Sequence, residues 1–232
     1  MKDTLFVIPA RGGSKGIPGK NIKPFLGKPL ICRSIDQARE AGADDSDICL
    51  TTDSREIAGV AENYGLQVPF LRPANLATDK ASTQDALIHA LGFYRGEGRD
   101  YSSIVLLQPT SPLRTADDIR GAMALYDSSL DMVVSVCEAA TNPYYNAFEA
   151  DADGFLHISK GDGLFTRRQD APKVWEYNGA VYVINAASLR RMPMGRFPRR
   201  RFYEMPRGRS VDLDTPLDWR IAEELCSSDL KV

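Results

Sequence analysis

A glycine-rich, basic loop follows the first apolar stretch of the chain. The sequence ARGGSKGIPGKN (10–21) holds four glycines and the cations Arg11, Lys15 and Lys20. Glycines let backbone N–H groups turn toward an anion without steric cost, and the cations neutralise its charge. The spacing matches neither the Walker A pattern nor the GxGxxG pattern. The loop therefore predicts a polyphosphate site of another kind, in preference to a flexible surface loop.

Two aspartates separated by one residue form a second candidate site near the end of the chain. In SVDLD (210–214), a strand would place Asp212 and Asp214 on one face and turn Val211 and Leu213 toward the core. A carboxylate pair suits Mg²⁺, which also takes phosphate oxygens as ligands. The alternative is a polar outer face in which Asp214 caps the last helix.

A third segment, QPTSPLR (108–114), ends a buried apolar run with two prolines and several polar side chains. This composition predicts a rigid loop at the ligand-binding edge of a sheet. An ordinary turn between a strand and a helix is the alternative.

Composition limits the classes of protein to consider. The 232 residues carry 29 Lys and Arg against 31 Asp and Glu, a net charge of -2, which does not suggest a nucleic-acid-binding protein. The length favours one domain over residues 1–232. The four cysteines are scattered and there are only two histidines, so we expect buried reduced thiols and no zinc site.

Hydropathy predicts neither a membrane segment nor a leader. No run of about 18 apolar residues could form a transmembrane helix. The apolar stretch at the N-terminus is too short for the core of a signal peptide. We therefore expect a cytoplasmic protein with no membrane partner.

The elements that must position these residues alternate between apolar runs and helical periodicity. Strands are predicted at 4–10, 47–53, 66–71, 102–110, 131–139, 174–185 and 209–214, and helices at 29–42, 54–65, 82–98, 115–129 and 215–226. This alternation predicts an α/β fold with a largely parallel sheet covered on both faces. Ligands of such sheets bind beyond the carboxyl ends of the strands, so the loops at 10–28, 52–54, 72–82 and 108–115 should meet there.

The alternation stops after residue 140. Turn signals at Asp153-Gly154 and at 161–163, without a long helix, set residues 140–175 apart from the main sheet. We interpret this segment as an excursion that serves as a lid or a subunit contact.

Five segments, taken together, resemble the CMP-sugar synthetases, the cytidylyltransferases that act on sialic and related nonulosonic acids. They are ARGGSKGIPGKN (10–21), LATDKAST (76–83), LLQPTSPLR (106–114), NGAVYVIN (178–185) and SVDLDTPLDW (210–219). The resemblance implies a Rossmann-like α/β fold with a protruding dimerisation element, a homodimer, Mg²⁺ as cofactor, and CTP and a nine-carbon 2-keto sugar acid as substrates.

The same resemblance assigns roles to individual residues. The CTP phosphates would be held by the first loop, through Arg11, Gly13, Ser14, Lys20 and Asn21. Arg72 and Ser82 match positions near the cytosine. The sugar site would include Gln108, Arg168 on the dimerisation element, Tyr182, Asp212 and Asp214, and the last two also match the metal ligands.

Sequence and resemblance agree on a mechanism. The anomeric hydroxyl attacks the α-phosphorus of CTP and pyrophosphate leaves, a reaction that depends on positioning and electrostatics. Lys20 and Arg11 would stabilise the phosphates, and Asp212 would either hold the metal or accept the proton of the nucleophile. Both roles of Asp212 stay open.

Several alternatives remain at this point. FTRRQDAPK (165–173) resembles enzymes that activate legionaminic acid, whereas residues 202–219 look closer to animal-type sialate synthetases. The acceptor could thus be N-acylneuraminate, legionaminate or KDN. A sugar-1-phosphate nucleotidylyltransferase shares a glycine-rich basic first loop. Eight arginines between residues 190 and 209 are the one feature that suggests nucleic-acid binding.

Overall fold

Most of the predicted alternation between strands and helices is present in the structure. The computed structural model describes residues 3–78 and 81–227. Its strands are β1 (Thr4–Pro9), β2 (Pro24–Phe25), β3 (Lys28–Pro29), β4 (Ile48–Thr51), β5 (Ser103–Leu107), β6 (Met132–Glu138), β7 (Phe148–Ala150), β8 (Leu156–Ile158), β9 (Trp175–Asn185) and β10 (Arg200–Glu204). Its helices are α1 (Leu30–Glu40), α2 (Arg55–Asn63), α3 (Thr83–Gly96), α4 (Ala116–Ala124), α5 (Ala186–Arg191) and α6 (Pro216–Ser227).

Six strands form the main sheet in the order β10-β6-β9-β5-β1-β4. β1 is parallel to β4 and β5, and β10 is parallel to β6, whereas β9 runs antiparallel to both of its neighbours. Because β1, β4 and β5 are parallel, their carboxyl ends lie at one edge, where Pro9 pairs with Thr51. The loops that follow these three strands therefore meet at that edge.

Alternate residues of each central strand bury their side chains on opposite faces of the sheet. Phe6 and Ile8 of β1 pack in a core with residues of α1, α2 and α4. Leu5 and Val7 pack in a second core with residues of α3 and α5. The prediction of a mostly parallel α/β sheet with helices on both faces is confirmed.

A third, smaller core lies beside the glycine-rich loop. It joins Ile17 of that loop and Leu213 of the aspartate segment to Phe25 and to Trp219 of α6. Leu213 and Phe25 are fully buried. Two segments almost 200 residues apart in sequence are thereby packed against each other.

Two predicted strands are wrong. Residues 66–71 form no strand, because Pro69 cannot donate a ladder hydrogen bond and the segment pairs with no strand of the sheet. Residues 209–214 also form none, since the Leu213 amide donates to the Thr110 carbonyl at 2.8 Å and the neighbouring amides do not continue a ladder. The edge strand β10 and the short helix α5 were not predicted.

The excursion at 140–175 contains the hairpin of β7 and β8, which is a separate two-stranded sheet. Its apolar side chains are largely exposed, among them Phe155 at 68% and Leu164 at 76%. The structure thus shows an apolar hairpin set apart from the main sheet, and its role as a dimerisation element stays a prediction.

Across the described ranges, none of the helices has the length and apolar character needed to cross a membrane. The four cysteines are unpaired; Cys32, Cys49 and Cys137 are buried as predicted, but Cys226 on α6 is exposed.

Candidate active site

A cleft of about 320 Å³ opens at the carboxyl ends of β1 and β5. Its floor is formed by Pro9 and by the segment that follows β5, and its walls are formed by the glycine-rich loop, by Arg72 and by residues 76–78 and 81–83. Seven of the residues proposed from the sequence line it together, namely Arg11, Ser14, Lys20, Asn21, Arg72, Ser82 and Gln108. This is the place where parallel sheets bind their ligands.

Lys20 joins the glycine-rich loop to the aspartate segment. Its side chain is nearly buried, and its Nζ donates to the Leu213 carbonyl oxygen at 2.5 Å and lies 3.4 Å from Asp214 Oδ1. An ammonium has three N–H donors, so a third remains for a phosphate oxygen in the cleft. Lys20 is therefore placed both to fix the two segments and to contact an anion.

Asn21 is also buried, and its side chain shapes the loop. Its Nδ2 donates to the Arg11 carbonyl oxygen at 3.0 Å. The backbone turns at Gly19, whose φ of +64° favours glycine. At Gly13 an added Cβ would meet no atom within 4 Å, so the backbone there is open to a ligand.

Gly16 permits the close approach of the two segments. A Cβ added at Gly16 would lie 2.0 Å from the Asp214 carbonyl oxygen, far inside van der Waals contact. Since the obstructing atom belongs to the backbone, a side chain at this position must push the loop and the aspartate segment apart.

We therefore expect Gly16→Ala to reduce kcat/KM by about tenfold or more and to lower the Tm by a few degrees. The physical reason is that displacement of catalytic segments by about 1 Å commonly costs this much activity. Steady-state kinetics and thermal denaturation measure the two effects. Gly59→Ala on α2 is the matched control, because its Cβ meets nothing within 4 Å. Equal activity of the two variants would contradict the packing argument.

Arg72 occupies the opposite wall of the cleft and is held by Asp53. Its guanidinium is buried, and its Nη2 lies 3.7 Å from Asp53 Oδ1, which also accepts a hydrogen bond from the Gly12 amide at 3.0 Å. Desolvation lowers the pKa of Arg72, and the Asp53 charge opposes that change. Asp53 was missed as an individual residue, although the loop at 52–54 was expected at this edge.

Ser82 begins α3 as its N-cap. Its Oγ accepts from the Asp85 amide at 3.1 Å, and its own amide donates to Asp85 Oδ2 at 3.4 Å, which completes a capping box. The side chain thus holds the helix start at the rim of the cleft. Asp79 and Lys80, which belong to the matching segment 76–83, lie outside the described residues.

Gln108 lies in a loop that is held from beneath by a buried arginine. Arg114 is 2% exposed and donates to the carbonyl oxygens of Gln108 and Ala180 at 2.7 and 2.8 Å and to Ser34 Oγ at 2.6 Å. Burial lowers the pKa of Arg114 to about 9, so it stays charged at neutral pH. Gln37 adds a hydrogen bond to the Pro112 carbonyl at 2.9 Å. Sequence reasoning did not identify Arg114 as the residue that fixes this loop.

Asp212 and Asp214 flank the buried Leu213 and both stay exposed, although the segment is not a strand. The alternation of inward and outward side chains is therefore as predicted, but its cause is the packing of Leu213. Desolvation raises the pKa of Asp212 above its ordinary value, as does the Asp214 charge, whereas Thr110 and Lys20 lower it.

A network of polar side chains positions the backbone before Asp212. Asn178 is buried; its Oδ1 accepts from Ser135 Oγ at 2.6 Å and its Nδ2 donates to Ser210 Oγ at 2.9 Å. The next residue, Gly179, has a φ of +73°, and a Cβ added there would lie 3.7 Å from Asp212 Oδ2. β9 thus reaches the site through this pair of residues.

The aspartate pair fits a magnesium ion that also binds phosphate. Both donors are carboxylate oxygens, and the raised pKa of Asp212 reflects in part repulsion by Asp214, which a divalent cation relieves. Within residues 3–78 and 81–227 no group of three or more His, Cys, Asp or Glu side chains could hold a metal. A metal at this site would therefore need phosphate oxygens among its ligands.

Asp218 belongs to the start of α6. Its Oδ2 accepts from the Thr215 amide and hydroxyl at 2.7 and 2.8 Å and from the Asp214 amide at 3.2 Å. Thr215 caps the helix as predicted, whereas Asp214, the alternative cap, contributes its backbone instead.

Of the five proposed sugar-site residues only Gln108 lines the cleft; Asp212 and Asp214 lie in the segment just described, and Tyr182 and Arg168 also lie outside it. Tyr182 of β9 is half-buried, and burial, followed by the charges of Tyr177 and Asp212, raises its pKa to about 12. Arg168 lies at the base of the excursion, where its Nη2 donates to the Ala139 carbonyl at 2.9 Å and to the Ala140 carbonyl. In the described chain, Arg168 therefore contacts the segment that directly follows β6 of its own chain.

Most arginines of the cluster at 190–209 pair with carboxylates of the same chain. Arg191 and Arg199 lie 3.5 and 3.6 Å from the fully buried Asp131, and Arg209 lies 2.9 Å from Asp118. These pairs bind the end of α5 and the residues on either side of β10 to the rest of the domain. The cluster thus has a structural role, and the absence of nucleic-acid binding stays a prediction.

Comparison with known proteins gives the family. A family model described as cytidylyltransferase matches residues 5–225. The chain is 33% identical to a CMP-N,N'-diacetyllegionaminic acid synthase of Legionella pneumophila, with 95% of each chain covered. It is 32% identical to a pseudaminic acid cytidylyltransferase of Campylobacter jejuni, again over 95% of each.

An N-acylneuraminate cytidylyltransferase of Streptococcus agalactiae is 36% identical over 93% of this chain, which spans about half (51%) of that relative. The fold matches that of a CMP:2-keto-3-deoxy-manno-octonic acid synthetase solved with CTP, at a TM-score of 0.71 and 17% identity, with 97% of this chain and 98% of that one covered. This likeness confirms the Rossmann-like fold. The family model, the relatives and the cleft agree, and the chain belongs to the cytidylyltransferase family, among the CMP-sugar synthetases, and is a nucleotidyltransferase.

Proposed function

We propose that this protein transfers CMP from CTP to a free nonulosonic acid and releases pyrophosphate. The proposal rests on one observation: Lys20 of the glycine-rich loop contacts the segment that carries Asp212 and Asp214, next to the cleft at the carboxyl ends of β1 and β5. One segment suits the triphosphate and the other suits a metal and an acceptor hydroxyl. The names of the relatives support the choice of both substrates.

In this mechanism the chain acts mainly by positioning. The glycine-rich loop binds the phosphates, with Arg11 and Lys20 stabilising the negative charge that grows on the leaving pyrophosphate. Arg72 and Ser82 line the same cleft, and the cytosine would be placed beside them. Magnesium, held by Asp212 and Asp214, would supply charge neutralisation at the phosphates. Asp212 would also serve as the proton acceptor for the acceptor hydroxyl, the second role that the sequence left open.

The acceptor is proposed as an N-acylneuraminate or a close relative, with legionaminate, pseudaminate and KDN as the members to compare. The relatives carry three different sugar names at similar identities, so similarity alone does not rank the sugars. We also propose a cytoplasmic location, where CTP is available.

Pyrophosphate release with CTP and a panel of these acids tests the proposal. We expect turnover with at least one free 2-keto acid, and the ranking of kcat/KM identifies the sugar. A sugar 1-phosphate is the discriminating acceptor, because a sugar-1-phosphate nucleotidylyltransferase needs a phosphate nucleophile. Turnover with sugar 1-phosphates and none with the free acids would overturn the proposal.

We further propose that the single domain dimerises through its excursion at 140–175, and that Arg168 there serves the sugar site of the neighbouring subunit. The excursion leaves four apolar side chains largely exposed, a surface that a second copy would cover. They are Phe148, Phe155, Leu156 and Leu164.

Light scattering is expected to give twice the 25.6 kDa mass of one chain. The double substitution Phe155→Ser and Leu164→Ser should shift the protein to the monomer and reduce activity, because burial of those side chains drives association. Leu125→Ser, an exposed leucine at the end of α4, is the control and should stay dimeric. A fully active monomer of the unchanged chain would refute this prediction.

A further inference from the structure

A second cavity lies next to Asp212, apart from the CTP cleft. It has a volume of about 540 Å³, and we call it the acceptor cavity; its lining includes Cys137, Glu176, Arg207, Ser210, Asp212 and Asp218. Thr110, whose carbonyl oxygen accepts from the amide of Leu213, the residue after Asp212, lines the CTP cleft. Asp212 thus stands between the two spaces. An acceptor bound in the acceptor cavity would therefore face, across Asp212, a nucleotide bound in the cleft.

The charges of the acceptor cavity restrict how an acid can bind there. Three of its lining residues are carboxylates, namely Glu176, Asp212 and Asp218, and Arg207 is the one cation among its described lining residues. The proposed acceptor carries a carboxylate that is ionised at neutral pH. The carboxylate of the acceptor would be repelled by these three acids and attracted by the guanidinium of Arg207. A guanidinium can bind a carboxylate through two parallel N–H···O hydrogen bonds.

Arg207 is held in place on one side and open on the other. Its Nη1 donates to the Glu138 carbonyl oxygen at 3.0 Å and to Glu176 Oε1 at 3.2 Å. Within the part of the chain that the structure describes, these bonds use one nitrogen of the guanidinium. The side chain is 61% exposed and also lines a neighbouring cavity of about 390 Å³ that contains Arg168. Nε and Nη2 can therefore meet a ligand.

We propose that Arg207 binds the carboxylate of the sugar acid, with Glu176 and the Glu138 carbonyl fixing the direction of its guanidinium. Arg207 is then the residue that selects a 2-keto acid over a neutral sugar. This inference rests on the proposed function, since it assigns one group of the acceptor to one residue of the cavity. No sequence pattern singles out Arg207, because it is one of eight arginines between residues 190 and 209.

The test is the steady-state kinetics of Arg207→Met with the acid that the wild-type enzyme turns over best. The KM for the acid is expected to rise about 10- to 100-fold, because the variant loses hydrogen bonds to a charged group. The KM for CTP and the Tm should stay unchanged. The KM of Arg207→Lys for the acid should lie between those of the wild-type enzyme and Arg207→Met. Arg201→Met, an exposed arginine on β10, is the matched control and should keep the wild-type KM.

A ligand change makes the assignment specific. The C1 carboxamide of the same sugar is tested as a competitive inhibitor. It should bind the wild-type enzyme more weakly than the acid does. Arg207→Met should bind the carboxamide and the acid equally well. The inference about Arg207 is overturned if the KM of Arg207→Met for the acid is within twofold of wild type. It is also overturned if the variant still prefers the acid over the carboxamide. Neither result affects the proposed function. Failure of the wild-type enzyme with every free acid overturns the proposed function as well.

Discussion

Replacing Lys20 by methionine is expected to reduce kcat/KM by at least about 100-fold, and Arg11→Ala should be similarly impaired. Removal of one donor aimed at developing negative charge commonly costs about 10²–10³ in rate. Lys20 adds a second effect, because its Nζ also binds the Leu213 carbonyl and so fixes Asp212 and Asp214 beside the loop. Pyrophosphate release under saturating and limiting CTP separates kcat from KM.

The matched control for Lys20 is Lys23→Met. Lys23 is exposed on the same loop, with its Nζ 4.5 Å from the centre of the Trp219 ring, and does not line the cleft. It should keep activity near that of wild type. Circular dichroism should show all variants folded. Near-normal turnover by both Lys20→Met and Arg11→Ala would rule out the phosphate role of the loop.

The loops of the site were predictable because short local patterns determine them. Four glycines with three cations specify the first loop, and the capping box of Ser82 and Asp85 marks the start of α3. The rule for parallel sheets then brings these segments to one edge. Seven of the proposed residues accordingly line one cleft.

The parts that could not be predicted depend on contacts between distant segments. Arg114 is an ordinary surface residue by composition, and only the carbonyls of Gln108 and Ala180 make its burial tolerable. Gly16 faces a backbone atom of residue 214, which no local pattern reveals. Consecutive arginines conceal β10 from a hydropathy pattern, and Arg199, just before the strand, is paired with Asp131 from a distant part of the sequence.

In the aspartate segment the predicted strand is absent, but the predicted directions of the side chains are present. The alternation of apolar and acidic residues favoured a strand, but the backbone turns at 207–209 and leaves the sheet. Leu213 nevertheless enters the small core with Phe25 and Trp219, and this packing turns both neighbouring carboxylates outward. The metal hypothesis therefore rests on packing and no longer on strand periodicity.

Asp212→Asn is expected to lose most of the turnover and to require much more Mg²⁺, and EDTA should abolish wild-type activity until Mg²⁺ is restored. The same substitution should leave the Tm unchanged or raise it. Because the folded protein raises the pKa of Asp212, its ionised form is disfavoured on folding, and a neutral amide removes that cost at neutral pH. As pH falls through this raised pKa, the carboxylate is protonated and metal-dependent activity should decline earlier than for an ordinary aspartate.

A metal-dependent shift in Tm separates ligation from a general loss of activity. Mg²⁺ with CTP should raise the Tm of the wild-type protein, since a ligand that binds the folded state stabilises it, and should raise that of Asp212→Asn much less. Asp117→Asn on α4, a carboxylate with an 85% exposed side chain, is a better control than Asp218, which caps α6 and holds the Asp214 amide. If Asp212→Asn and Asp214→Asn both keep full activity at ordinary Mg²⁺, the carboxylate pair is not the metal site.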